Sequence, residues 1–224
     1  VPNAAPEAAT RRFHSAVERL TGASPDDRFG IAVSGGPDSM ALLLLAAAAF
    51  PGRVEAATVD HGLRPESASE ADMVASWCRD RSILHATLAP PRPIAGNIQS
   101  AARVARYALL EDWRRERGLA WLMTAHHADD QRETLLMRLN RGSGVSGLAG
   151  VRRRSSVVLR PLLEWRKAEL EALAVQADVP FVRDPSNSDD RFDRAALRAR
   201  LDQVDWIDPL ASVRSADALA QAED

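Results

Sequence analysis

The chain has 224 residues, 46% of them hydrophobic and 27% charged, with a formal net charge of -2, the profile of a soluble globular domain with its own core. Its longest apolar run, Met40 to Phe50, is far short of the ~20 residues a bilayer span needs. The single cysteine, Cys78, excludes an internal disulfide, a Cys-x-x-Cys redox pair and a thiolate zinc site, so the expectation is a cytoplasmic protein with no membrane contact.

In chain order, Ala4 to Leu20 reads as an amphipathic helix with Phe13, Ala16, Val17 and Leu20 on one side. Phe29 to Val33 is a short apolar strand running into a Gly-rich turn, and Asp38 to Ala49 is helical. Val54 to Val59 is a second strand, Glu66 to Arg81 a helix, and Ile83 to Leu88 a third strand followed by the Pro-rich loop Pro90 to Pro93. Ile98 to Arg117 is a long helix closed by Gly118, Ala120 to Thr124 a fourth strand, and Ala128 to Arg141 a further helix. Strands alternating with helices at this spacing predict an α/β fold: a Rossmann-like parallel sheet covered by helices on both faces. Beyond Arg141, Gly142 to Gly147 reads as a flexible loop and Val157 to Leu159 as a last strand. Glu164 to Ala177 and Asp190 to Gln203 look helical, and the Ala/Asp-rich tail is expected to be poorly ordered. The division this suggests is a catalytic domain over 1–160 and a helical extension over 161–224 packed on it.

The turn Ser34-Gly35-Gly36-Pro37-Asp38-Ser39, between a strand and a helix, is the geometry of a phosphate cradle. Backbone N–H groups and the positive helix end face the anion, Gly35 and Gly36 let the backbone approach closely, and Pro37 suits the first helical turn. Ser34 and Ser39 offer hydroxyl donors. Asp38 would repel phosphates unless a cation bridged the two, which assigns it to Mg²⁺. The spacing is neither that of a Walker A loop nor G-x-G-x-x-G. The plain alternative is a helix start with an acid in its first turn.

A second constellation follows the fourth strand, in His126-His127-Ala128-Asp129-Asp130-Gln131-Arg132-Glu133-Thr134. His126, Asp130 and Glu133 stand at i, i+4 and i+7, one helix face if the helix begins early enough. Such a trio positions a cation, an amine or a transferred proton; the alternative is a solvated helix start. Arg103, Arg106 and Tyr107 share a face of the preceding long helix. Seven arginines between Arg138 and Arg166, among them Arg141 and the run Arg152-Arg153-Arg154, face one acid, Glu164, a local excess suited to a polyanion.

Ser-Gly-Gly-x-Asp-Ser resembles the PP-loop ATP pyrophosphatases, which cleave ATP to AMP and pyrophosphate while adenylating a substrate. The segments Val59-Asp60-His61-Gly62-Leu63-Arg64-Pro65-Glu66-Ser67, Ala125 to Thr134, Arg141-Gly142-Ser143-Gly144 with Gly147-Leu148, Arg160-Pro161-Leu162-Leu163 and Asp184-Pro185-Ser186-Asn187 narrow this. Together they resemble the tRNA(Ile)-lysidine synthetases, from Phe29 to Leu201. The resemblance implies ATP as substrate with Mg²⁺, free L-lysine, and an isoleucine tRNA with a CAU anticodon. The wobble cytidine would be adenylated and lysine would then displace AMP. It implies ATP binding by Ser34 to Ser39 and His126, catalysis by Asp38, Arg106, Asp130 and Glu133, and recognition of the lysine ammonium by Asp130 and Glu133. Arg141, Arg152, Arg153, Arg154, Arg194 and Arg198 are the candidate tRNA contacts. Two departures stand out: Ala195 follows Arg194 where the family commonly has Asn, and the family's usual further C-terminal domains are not in these residues. The sequence leaves the oligomeric state open, a homodimer included. It also leaves open another PP-loop tRNA-modifying enzyme, or an ATP-binding module that turns nothing over.

Overall fold

The computed structural model describes residues 4–22, 24–60, 62, 66–90, 98–183, 193–201, 203–204 and 206–223. His61, residues 63–65, 91–97 and 184–192 lie outside the described residues, and of Arg194 only the backbone is described.

Six strands form one sheet in the order β3 (Leu84–Leu88), β2 (Val54–Val59), β1 (Phe29–Ala32), β4 (Trp121–Met123), β6 (Val158–Leu159) and β5 (Arg154–Ser155). All neighbours are parallel except the terminal β5–β6 pair. The expected α/β architecture is therefore present. The antiparallel β5 is an addition that the sequence reading passed over.

Alternation along β1 distributes side chains between two layers. Phe29, Ile31 and Val33 join a core built from helices α1 (Glu7–Thr21), α2 (Pro37–Ala49), α3 (Glu66–Arg79) and α7 (Lys167–Gln176). Helix α4 (Ile98–Glu116) covers the opposite face through Leu110 and Trp113, which pack with Ala57, Leu119 and Leu122. Gly30 lies beneath that helix, and a Cβ there would stand 2.7 Å from the Trp113 ring. Helix α2 is apolar around its whole circumference because it is covered on several sides, by the sheet, α1 and α7.

After β4 come α5 (Ala128–Asn140), α6 (Val145–Leu148), α8 (Asp193–Leu201) and α9 (Pro209–Gln221). Two expectations fail here. The Gly-rich segment 142–147 is not wholly loop, since α6 forms a single turn inside it. The tail from Pro209 is a 13-residue helix packed against α5. Its start is fixed by Asp208, whose carboxylate accepts from the Leu210 and Ala211 N–H groups at 3.2 and 3.1 Å.

Candidate active site

The chain runs outward from β1 through β2 to β3, then returns to place β4 on the other side of β1. The reversal leaves a crevice at the carboxyl ends of β1 and β4, where open parallel sheets bind ligands. The phosphate loop follows β1, and the His126-His127 segment follows β4.

The loop is shaped from within. Gly35 has φ +82°, a left-handed conformation that L side chains rarely adopt, and its carbonyl accepts from the Val182 N–H at 2.9 Å. The Ser39 hydroxyl donates to the Gly36 carbonyl at 2.9 Å and accepts from the Ser34 N–H at 3.1 Å. Ser39 therefore fixes the turn, whereas Ser34 is exposed at its lip. No side chain caps the start of α2, so its first-turn N–H groups remain available to an anion.

Helix α5 begins at Ala128 with His127 as its N-cap, closed by a reciprocal box in which Asp130 Oδ2 accepts from the His127 N–H at 3.1 Å. The buried His127 ring ties the two loops together. Its Nε2 lies 3.5 Å from Asp38 and 3.4 Å from Asp130, and its Nδ1 lies 3.7 Å from Asp129. Burial works against a charged imidazole, but the surrounding Asp130, Asp38 and Asp129 outweigh it and raise its pKa above 6.5. In the neutral form Nδ1 accepts the Asp130 N–H at 3.4 Å; the protonated ring gives up that cap and donates from both nitrogens. One oxygen of Asp38 is thus turned toward His127, while the other, Oδ1, is buried without a hydrogen-bond partner.

One turn further on, Glu133 is almost wholly enclosed, 1% exposed. Arg198 from α8 grips it with both arms, Nε to Oε1 at 2.7 Å and Nη2 to Oε2 at 3.0 Å. The fields of Asp130 and Asp38 also reach that guanidinium and, after the hydrogen bond to Glu133, help to raise its pKa.

Residues 8–204 match the PP-loop domain family. The chain is 48% identical over 222 residues to the tRNA(Ile)-lysidine synthase of Novosphingobium aromaticivorans, covering 96% of this chain and 67% of that one. It is 42% identical to the tRNA(Ile)-lysidine synthase of Zymomonas mobilis, over 96% of this chain and 68% of that one. The chain belongs to the tRNA(Ile)-lysidine synthase family. It spans about two thirds of the length of those two relatives, and 59% of the Rhodopseudomonas palustris synthase. Among solved structures, a U34-tRNA thiolase of Methanococcus maripaludis superposes with TM-score 0.75 at 17% identity, covering 96% of this chain and 79% of that one. An NMN synthetase of Francisella tularensis superposes with TM-score 0.59 at 12% identity, over 97% and 93%. Both likenesses concern the fold. The thiolase structure holds a [4Fe-4S] cluster, whereas the one thiol of this lysidine synthase relative, Cys78, is buried, its pKa pushed up to about 12 by desolvation.

The residues singled out from the sequence divide into three groups. Asp38, Asp130 and Glu133 converge around His127 and Arg198. His126 does not share the face of α5: the helix starts after it, and its Nδ1 lies 3.0 Å from the Thr124 hydroxyl. Arg106 lies on α4, where desolvation and then the charge of Arg103 lower its pKa; Arg103 itself stacks over Tyr107 at 5.1 Å.

The arginine run is paired within the chain. Arg152 pairs with Glu223, and Arg153 with Glu164 at 3.0 Å and with Asp217. Arg154 reaches the Leu20 carbonyl at 3.0 Å and lies over Trp121. The first two clamp α9, so a local excess of arginine in sequence is balanced by acids distant in the chain. Sequence reasoning undervalued His127 and did not foresee the pairing of Arg198 with Glu133. The signal for His127 was present, since a residue three before Asp130 is where a reciprocal cap belongs. Nothing local announced the turn of Arg198 toward Glu133.

Proposed function

We propose that this chain ligates lysine to the wobble cytidine of an isoleucine tRNA with a CAU anticodon, through an adenylated cytidine, converting ATP to AMP and pyrophosphate. The observation that carries the reading is the pairing of an uncapped α2 N-terminus with the buried, partnerless Asp38 Oδ1 beside it, in a chain of this family. An anion seat beside a lone carboxylate oxygen would suit a cation, which Asp38 would hold.

That oxygen meets the requirement for Mg²⁺. Among the described residues no cluster of three or more His, Asp, Glu or Cys could cage a metal. One carboxylate supplemented by phosphate oxygens and water is the usual manner of Mg²⁺ binding at nucleotide sites. Bound there, Mg²⁺ would supply charge neutralisation for the departing pyrophosphate.

The first-turn N–H groups of α2 hold the β- and γ-phosphates and leave the α-phosphate open to in-line attack. The cytosine 2-oxygen attacks that phosphorus and pyrophosphate departs. The ε-amine of lysine then bonds to C2, the C2–O bond breaks, and AMP leaves. Asp130, whose side chain is 18% exposed and held by the His127 N–H, accepts the proton that the amine loses; that exposure supports the role. Asp130 and Glu133 supply the negative charge that selects an ammonium, and Arg106 stabilises charge on the transferring group. The unstacked cytosine enters from the rim, as single-stranded loop bases do. Arg141, exposed just beyond α5, is the candidate arginine best suited to the tRNA backbone.

Replacing Asp38 by Ala should lower tRNA-dependent AMP release by at least ~100-fold, as the loss of electrostatic transition-state stabilisation does elsewhere. The far-ultraviolet circular dichroism should be unchanged, because Oδ1 has no partner and the His127 ring, which loses Oδ2, keeps Asp129 and Asp130. AMP release at the wild-type rate would remove Asp38 from the mechanism.

A further inference from the structure

The acidic pocket already contains a cation of the chain's own. Glu133 has no surface to offer a ligand, and both of its oxygens are engaged by Arg198. A lysine ammonium cannot reach this carboxylate while the guanidinium is in place. His127 is no such obstacle, because it sits beneath the pocket as the helix cap, whereas the Arg198 side chain is 26% exposed and enters from a different helix.

Two further observations say where the guanidinium can go. It lies close enough to Asp38, in the first turn of the phosphate-loop helix, for that carboxylate to act on it electrostatically. Its Nη1 makes no hydrogen bond among the described residues. The Ser34 to Ser39 loop itself contains no lysine or arginine. A polyphosphate seated there offers Arg198 a richer set of acceptors than one carboxylate, and arginine matches phosphate oxygens well.

We propose that Arg198 is a built-in competitor for the lysine ammonium at Glu133, withdrawn toward the nucleotide phosphates when the loop is filled, so that lysine binds after ATP. The proposal rests on the lysine site placed above at Asp130 and Glu133. Physically it is a cation exchange. Nucleotide takes the guanidinium, Glu133 loses its two-armed partner, and the lysine ammonium replaces it. Taking a charged partner away from a buried carboxylate is costly, which raises the affinity for lysine in the nucleotide-bound state. The two ligands then strengthen each other's binding by the same factor, as linkage requires.

The test is calorimetric titration of L-lysine into the chain, with and without a non-hydrolysable ATP analogue and Mg²⁺. In the wild type the analogue should tighten lysine binding by about 5- to 100-fold, the usual range of coupling between sites. In Arg198→Gln, lysine should bind the nucleotide-free chain more tightly than it binds the wild type. The analogue should then change its affinity by less than about twofold. Arg198→Lys, which keeps a competing charge, should retain coupling and serves if the neutral variant proves unstable. Equal lysine affinity with and without analogue in the wild type would overturn the proposal, as would full coupling in Arg198→Gln. Glu133→Gln separates the two layers. If it leaves lysine binding to the nucleotide-bound chain untouched, the lysine site itself is misplaced. If it weakens lysine binding but Arg198→Gln keeps its coupling, only the exchange fails.

Discussion

His127 carries more of the site than any other single side chain. It starts α5, orients one oxygen of Asp38 and balances the charge of Asp129 and Asp130. Because its pKa is raised above 6.5, the folded chain holds the imidazole proton more tightly than the unfolded chain does. The resulting stabilisation is complete below about pH 6.5 and is lost as pH rises through the folded value. In metal-free buffer, urea unfolding of the wild type and of His127→Gln should differ most near pH 6. Toward pH 9 the gap should shrink to the ~1 kcal/mol that losing the cap made by the neutral ring costs. A gap that widened with pH would show that the ring is neutral in the fold. The His-His-x-Asp-Asp pattern was plain in the sequence, but which histidine faced the carboxylates was not. Choosing between them needed the first residue of the helix, and sequence periodicity fixes helix ends only to within a few residues.

The elements most legible from sequence were those whose pattern is local. The strands of the parallel sheet and helices α1 to α5 follow from apolar runs, Gly and Pro punctuation and period, and all appear within a few residues of the expected ends. Helix α9 failed that test. Its apolar positions are mostly alanine and its packing partner, α5, lies far away in sequence, so weak periodicity resembled disorder. Its signal was the pair Asp208-Pro209, an N-cap followed by proline at the first helical position. Asp208 also meets Arg166 at 2.6 Å, linking the start of α9 to the start of α7. Replacing Asp208 by Ala should cost about 1 kcal/mol or somewhat more in chemical unfolding. It should also speed amide exchange in 209–212 relative to α2. Unchanged protection there would mean that the arginine clamps alone hold the helix.

At the scale of the molecule, the sheet order decides where chemistry can occur. The reversal between β1 and β4 opens a crevice at their carboxyl ends, and both recognisable motifs empty into it. Motif and topology were readable together because each motif directly follows a strand. The long-range charge pairing was not: Arg152, Arg153 and Arg198 find their acids on elements 71, 64 and 65 residues away, beyond any local pattern. That pairing makes Arg152 and Arg153 a brace for α9 and brings Arg198 into the pocket. In the proposed mechanism this one crevice serves both adenylation and amine transfer, within a chain that spans about two thirds of its first two relatives. The most direct measurement is mass spectrometry of a CAU-anticodon isoleucine tRNA after incubation with the chain, ATP, Mg²⁺ and isotope-labelled lysine. The expected result is a wobble cytidine converted to a labelled lysidine, with one AMP formed for each lysine attached. ATP cleaved to AMP with tRNA present but no lysine on the cytidine, even at high tRNA concentration, would contradict the mechanism.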